Sequence, residues 1–216
     1  MPVHLPGTPK PLWRGVLHQI AFYVSIPAGI ALVAMARGGT SARVAAATFA
    51  TCLSGLFGIS ALYHRRNWSV PAARVMRHLD HSMIFVFIAA SYTPLTLLAL
   101  RPAWGISLLV LVWAGAAAGV LITVLRLERW RNVGFVLYLV LGWLAALALP
   151  QLVRSLSAVE LGLLVAGGLL YTVGAVVLAR GRPDPRPLVF GYHEVWHSFV
   201  VGATGCHFAL VALLVR

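Results

Sequence analysis

The chain has 216 residues, of which 60% are hydrophobic and only 10% are charged. A soluble domain of this size could not bury so much apolar surface, so the composition excludes an ordinary soluble protein and predicts a membrane protein. The formal net charge of +12 comes from basic residues that lie mostly between apolar runs, which indicates loop charges near anionic lipid headgroups and no nucleic-acid partner.

Seven apolar runs are each long enough to cross a hydrocarbon core, which takes about 20 helical residues. The predicted spans are 16–36, 42–64, 80–100, 103–125, 133–153, 159–179 and 194–215. The connections between them are short. The sequence therefore predicts an all-α, polytopic membrane protein, a single seven-transmembrane helix bundle over 1–216 with a short cytoplasmic segment at 1–15. We expect a multi-pass protein of the cell inner (plasma) membrane.

The basic residues predict the orientation of the bundle. One set of span ends carries twelve of them, Lys10, Arg14, Arg65, Arg66, Arg74, Arg77, Arg126, Arg129, Arg131, Arg180, Arg182 and Arg186. The other set carries five, Arg37, Arg43, Arg101, Arg154 and Arg216. The positive-inside rule then places the N-terminus in the cytoplasm and the C-terminus outside the cytoplasm.

Five polar residues that could bind a metal ion or a water lie at the ends of apolar runs, and these five fall toward the predicted cytoplasmic face. Ser60 and His64 end the second run, Asp80 opens the third, and His193 and His197 open the last. Burying such groups in hydrocarbon costs several kcal/mol each unless they are paired, bound to a metal or facing water. Because three separate spans contribute them at one depth, the pattern indicates an assembled site.

His193 and His197 are four residues apart, so on a helix their side chains face the same way. Together with His64 and Asp80 they form a ligand set that suits zinc better than magnesium or calcium, and copper, iron and manganese stay open. The string from His193 to His197 also matches the H-E-x-x-H signature of zinc metalloproteases, in which Glu194 would be the general base. The alternative for Glu194 is a solvated residue that the helix dipole favours at a helix N-terminus.

Other polar residues allow weaker interpretations. Ser60 lies one helical turn before His64 and could orient a water or stabilise an oxyanion, or it could bond back to its own helix. We expect His78 in a basic loop, and Asp80 and His81 cannot both face one metal because they lie about 100° apart on a helix. His207 is roughly 15 Å beyond His197 along the helix and is predicted to be a packing residue or a secondary polar residue.

The fourth span carries a pair of small residues, Gly115 and Gly119, at the spacing that favours close helix contact. The sequence leaves open whether that contact is internal or joins two protomers, so a homo-oligomer is one possible partner arrangement.

Four blocks of sequence occur in the order of a known family. Ser60-Ala-Leu-Tyr-His64, Leu79-Asp80-His81-Ser82, Ala90-Ser-Tyr-Thr-Pro94 and Gly191-Tyr-His193-Glu-Val-Trp-His197 resemble the hemolysin III family. Its members are bacterial relatives of the progestin and adipoQ receptors, which include the adiponectin receptors. The resemblance covers the whole seven-span core and implies a seven-helix bundle with an intramembrane zinc near the cytoplasmic face.

The resemblance also implies roles for individual residues. It implies that His64, His193 and His197 bind Zn²⁺ and that Asp80 and Ser60 hold the metal-bound water, with Asp80 and Ser60 as the catalytic residues. The wider superfamily contains alkaline ceramidases, so the implied chemistry is hydrolysis of a lipid amide by a zinc-activated water, with membrane lipids as partners and a lipid-like molecule as substrate. The alternative is a non-enzymatic membrane regulator or receptor-like protein in which zinc joins helices structurally.

Overall fold

The computed structural model describes residues 10–125 and 131–216, and this part of the chain is helical apart from short connections. It also contains a 3-10 turn, Leu144–Ala148. The helices are α1 (Val16–Met35), α2 (Gly39–Arg65), α3 (Val70–Leu98), α4 (Pro102–Val124), α5 (Arg131–Trp143), α6 (Leu149–Ser155), α7 (Ala158–Arg180) and α8 (Tyr192–Leu214). Seven helical segments of the described chain are long and apolar enough to cross a membrane, which confirms the predicted all-α, seven-span fold.

Successive spans are joined by short connections and pack against one another, α1 on α2, α2 on α3, α3 on α4 and α7 on α8. The last helix, α8, also contacts α1, α2 and α3. We call the end of the bundle at which α1, α3 and α8 begin and α2 ends the site end. The side of the membrane that this end faces, and the assignment of 1–216 to one domain, remain predictions.

The third helix begins ten residues earlier than the sequence predicts. It starts at Val70, with Pro71 in its first turn, where the missing N–H and fixed φ of proline suit a helix start. Asp80 therefore does not open the helix but lies about 15 Å along it, too far for the dipole of the helix N-terminus to act on its carboxyl group. His78, predicted to lie in a loop, is also part of α3.

The fifth span is not the continuous helix predicted for 133–153. Helix α5 ends at Trp143, the 3-10 turn follows, and α6 carries Pro150 in its first turn. Proline lacks an N–H and clashes with the carbonyl group four residues back, so a helix cannot continue through it unchanged. The Tyr92 hydroxyl, at the break, accepts from the N–H of Ala145 (2.8 Å) and donates to the carbonyl oxygen of Gly142 (2.9 Å), which satisfies polar groups that the break exposes to the bundle interior.

The small pair on α4 makes contacts inside the chain. A Cβ placed on Gly119 would lie 2.4 Å from the Phe85 ring, and one on Gly115 would lie 2.5 Å from the Leu141 side chain. The internal alternative is therefore the one that the structure uses at both glycines. Of the residues in the charge count, Arg126 and Arg129 lie outside the described residues, as does 1–9 of the predicted cytoplasmic segment.

Candidate metal centre

Three imidazole rings from two helices meet at the site end. One ring nitrogen from each of His64, His193 and His197 lies within 4.8 Å of the other two. His64 ends α2, and the other two lie on the first turns of α8, one turn apart on one face. The packing of α8 against α2 therefore brings together the residues that the sequence selects as metal ligands.

Two of the three donor nitrogens are spaced as a tetrahedral metal ion would hold them. The Nε2 atoms of His64 and His193 are 3.3 Å apart. Two zinc–nitrogen bonds of about 2.0–2.1 Å at a tetrahedral angle hold their nitrogens roughly 3.3 Å apart. His197 is buried, and both its ring nitrogens lack a hydrogen-bond partner among the described residues. Because buried polar atoms are nearly always satisfied, these nitrogens indicate that the cluster could hold a metal ion.

The two predicted catalytic residues lie beside this cluster and are buried. Asp80 Oδ2 is 3.8 Å from His64 Nε2. The Ser60 side chain lies near the Asp80 carboxyl group, and both residues line the same cavity. The two residues therefore flank the three imidazoles, on the side where a cavity opens.

Glu194 does not face the imidazoles, although it sits between His193 and His197 in sequence. Its side chain is fully buried. Oε2 accepts the N–H of Gly191 at the start of α8 (2.8 Å), and Oε1 accepts from Nε of Arg14 (2.5 Å). Both oxygens are thus engaged at the helix N-terminus, so the interpretation of Glu194 as a solvated residue is wrong, and the geometry does not favour its use as a metalloprotease base.

The residues before α1 pack over the site end. The N–H groups of Leu12 and Trp13 donate to the carbonyl oxygens of Leu188 and Val189 in the connection before α8. Gly15, with φ +77°, lies so close to the histidine cluster that an added Cβ would be 2.7 Å from the Cβ of His64. This N-terminal segment, residues 10–15, therefore lies directly against one of the candidate ligands.

Lys10 ties the same segment to the end of α2. Its Nζ donates to the carbonyl oxygens of Arg66 (2.8 Å) and His64 (3.4 Å). Partial burial, together with the guanidinium groups of Arg14 and Arg65, lowers the pKa of the Lys10 ammonium group. The carbonyl oxygens at the end of α2 have no partner inside their own helix, so the lysine supplies one.

The structure adds a fourth histidine that the sequence analysis missed. His18, in the first turn of α1, is 3% exposed. Its Nδ1 is 2.8 Å from Ser60 Oγ, and its ring stacks on His197 with centroids 3.7 Å apart. A signal was present in the sequence, since His18 is a polar residue near the start of the first apolar run, at the same predicted end as the others.

The other histidines among the described residues stand outside the triad. His78 and His81 lie on α3 and do not join the group of mutually close nitrogens in the described chain. His207 packs its ring against Tyr171 (centroids 5.5 Å apart) and against Gly167 of α7, which agrees with its prediction as a packing residue.

Comparison with known proteins gives the same family over most of the chain. Residues 7–208 match the family model described as Haemolysin-III related. The chain is 33% identical to "Hemolysin-3" of Bacillus cereus over 94% of this chain and 90% of that protein. It is also 33% identical to "Hemolysin-3 homolog" of Bacillus subtilis (strain 168), over 92% of this chain and 91% of that one.

A human protein shows more distant similarity. The "Monocyte to macrophage differentiation factor" of Homo sapiens is 29% identical over 77% of this chain and 68% of the human protein. The family match covers most of this chain, and its described part has seven helices able to cross a membrane. This chain is a multi-pass membrane protein, and it belongs to the hemolysin III family.

Proposed function

We propose that this chain is a zinc-dependent membrane hydrolase that cleaves an amide bond in a lipid-like substrate. The observation that carries the proposal is the position of the three imidazoles beside Asp80 and Ser60, where a buried cavity begins. His64, His193 and His197 would hold the ion. Zinc at such a site supplies Lewis acidity, which activates water and polarises a carbonyl group.

Asp80 and Ser60 would move and hold protons. Asp80 accepts a proton from the attacking water while the water oxygen forms a bond to the amide carbon. Asp80 then delivers that proton to the leaving nitrogen as the carbon–nitrogen bond breaks. While Asp80 is ionised, it can accept the hydrogen of the neighbouring Ser60 hydroxyl. Once Asp80 carries the proton, the Ser60 hydrogen is free to turn toward the carbonyl oxygen, which has gained negative charge.

The cavity supports a lipid-like substrate. It has a volume of about 130 Å³ and is lined by His18, Ser60 and Asp80 at one end. Its other walls are mainly apolar and aromatic and come mostly from α3, α5, α7 and α8, with Ile84, Ile88, Tyr92, Tyr138, Leu139, Trp143, Tyr171, Thr172, Ala175, Trp196, Val200 and the ring of His207. An apolar cavity with a few polar groups at one end suits an acyl chain that carries a polar linkage.

A second cavity lies along the path by which such a molecule could enter. It is lined by residues of α5 and α7 and shares Leu139, Thr172 and Ala175 with the first. It reaches Arg180 at the end of α7, where a guanidinium group can meet a lipid headgroup. We infer that the substrate enters between α5 and α7 from the bilayer.

Replacing Asp80 by Asn tests the hydrolase. The asparagine keeps the size of the side chain and removes proton acceptance, so zinc should stay bound while lipid-amide hydrolysis falls by roughly 100-fold or more. Purified protein would be assayed by mass spectrometry of ceramides and related amides, with zinc content measured on the same samples. Asp184→Asn is the control, because Asp184 caps the N–H of Tyr192 at the site end and does not line the cavity.

Two outcomes would redirect the proposal. Loss of zinc together with stability in Asp80→Asn would make Asp80 a direct structural ligand. A wild-type protein that binds zinc but hydrolyses no lipid amide would contradict the hydrolase and favour the non-enzymatic regulator or receptor-like protein.

We also propose that the site end faces the cytoplasm, on the charge asymmetry of twelve basic residues against five. A reporter fused after Arg216 should then read out as extracytoplasmic, and one inserted in the connection after Arg66 as cytoplasmic. Both reporters on one side of the membrane would contradict the span count, and an exchange of the two sides would contradict the orientation.

A further inference from the structure

His18 makes two kinds of contact with the candidate metal centre from a helix that supplies none of the three metal ligands. One contact is the 2.8 Å approach of its Nδ1 to the hydroxyl of Ser60. The other is the parallel stack of its ring on His197, with an angle of 10° between the ring planes. The ring is also buried against Phe57. Two members of the site are therefore held by one side chain of α1.

Ser60 has two polar neighbours, His18 and Asp80, and the direction of its contact with His18 follows if Asp80 accepts the Ser60 hydrogen. A serine hydroxyl has one hydrogen and two lone pairs, and an ionised carboxylate can only accept. When Ser60 donates to Asp80, the lone pair that faces His18 must accept from an N–H at Nδ1. His18 then has its hydrogen on Nδ1, and the Ser60 hydrogen is kept on the side of Asp80.

The stacking of His18 on His197 is important because His197 lacks the hydrogen bond that usually orients a metal-binding histidine. A metal-binding histidine ordinarily donates a hydrogen bond from the N–H of its second ring nitrogen to a carboxylate, carbonyl group or water, and this bond fixes the plane of its ring. In the described chain, neither nitrogen of His197 has such a partner. The face-to-face contact with His18 is the closest ring contact of His197, nearer than those with His193 (4.6 Å), Trp196 (5.0 Å) and His64 (5.2 Å).

We propose that His18 is a positioning residue of the metal centre, which orients Ser60 through Nδ1 and sets the ring plane of His197 through its face. The inference deepens the proposed function and rests on its metal site. It requires metal binding and does not require that the bound ion hydrolyse anything.

The two contacts can be separated by substitution. His18→Phe keeps an aromatic face against His197 and removes the donor to Ser60. His18→Asn keeps an N–H close to the place of Nδ1 and removes the ring. His18→Ala removes both. Each variant would be loaded with Co²⁺, whose visible absorption reports the number and geometry of ligands at a tetrahedral site, and its metal affinity would be measured by competition with a chelator.

The stack predicts a specific order among the variants. His18→Ala and His18→Asn should shift the Co²⁺ spectrum and weaken metal binding by about 10- to 100-fold. This is the usual effect of removing a group that holds a metal-binding side chain in place. His18→Phe should retain the wild-type spectrum. A folded His18→Ala protein with wild-type spectrum and affinity would overturn the proposal, and a Phe variant as perturbed as the Ala variant would overturn the role of the ring face.

A double-mutant cycle tests the contact with Ser60. If His18 acts on the centre through this hydroxyl, Ser60→Ala should change metal affinity in the wild type and change it less in His18→Phe. Equal effects in the two backgrounds would contradict the orientation of Ser60 by His18.

A control variant lies on the same helix. Ser25→Ala removes the 2.8 Å hydrogen bond between Ser25 and Ser54, which joins α1 to α2 two turns from His18. It should lower thermal stability without moving the Co²⁺ spectrum, and a shift as large as that of His18→Ala would assign the effect to general loosening of α1. Absence of metal from the wild type would instead count against the metal site of the proposed function.

Discussion

Helix α8 carries histidines in two settings, and the difference between them explains what makes the site. His193 and His197 present ring nitrogens to a nitrogen of His64 from another helix. His207, further along the same helix, lies with its ring against Tyr171 and Gly167. One residue type therefore acts as a candidate ligand at the site end and as a packing ring deeper in the bundle, and convergence of lone pairs from separate helices distinguishes the two.

The same contrast appears between two glutamates that cap helices. Glu160 at the start of α7 accepts the N–H of Ser157 and is half-buried, and Glu194 at the start of α8 accepts the N–H of Gly191 and is fully buried beside Arg14. Both glutamates cap a helix, and they differ in that Glu194 also forms a buried ion pair with Arg14.

Exchanging each of these glutamates for Gln should produce unequal losses of stability. Glu194→Gln leaves the Arg14 charge without its partner in a buried setting and should cost about 3 kcal/mol. Glu160→Gln should cost no more than about 1 kcal/mol, the usual scale of a charge that has no ion-pair partner at a helix N-terminus. Denaturation of the two purified variants in detergent measures the difference, and equal losses would show that the ion pair with Arg14 adds nothing to the cap.

Two glycines with left-handed backbone sharpen the comparison further. Gly15 (φ +77°) lies against His64, and Gly39 (φ +76°), at the opposite end of α2, has nothing within 4 Å of the place where a Cβ would be. Alanine at either position should cost about 1–2 kcal/mol, because L-residues are disfavoured in this conformation.

Only Gly15→Ala should also weaken metal binding, since its methyl group must displace the N-terminal segment or His64. Chelator competition on both variants separates this contact from the shared backbone cost. Metal affinities that fall equally in Gly15→Ala and Gly39→Ala would contradict a close approach of the N-terminal segment to the metal centre.

The hydropathy of the sequence predicts the fold well, because the hydrocarbon of the membrane selects directly for apolar segments. Each crossing must be long and apolar, so the number of spans and most of their bounds follow from the sequence. The start of α3 does not follow from hydropathy, because the first ten residues of this helix lie outside the apolar run and include Arg74 and Arg77. Pro71 is typical of a loop, but here it belongs to the first turn of the helix. The break after Trp143 depends on Pro150 and the Tyr92 hydroxyl together, which a hydropathy profile does not register.

Some residues of the candidate site could likewise be predicted from the sequence, and others could not. His64, His193, His197, Asp80 and Ser60 are polar residues at unusual places in apolar runs, and four motif blocks in order assign them to a family. His18 and Arg14 were not selected, because their partners are 42 and 180 residues away in sequence and only the packing of α1 against α2 and α8 reveals the contacts. Glu194 has the right spacing for a catalytic base, and its orientation toward Arg14 is a property of tertiary structure alone.

Metal analysis of the purified protein tests the central claim most directly. Zinc content would be measured for the wild type, for single alanine variants of His64, His193 and His197, and for His207→Ala, which removes a buried histidine of the same helix outside the cluster. We predict about one zinc per chain in the wild type and in His207→Ala, and loss of zinc with lowered thermal stability in the three ligand variants, because metal-binding energy is also folding energy. Full zinc retention in all three, or no zinc in the wild type, would contradict a metal centre at the site end.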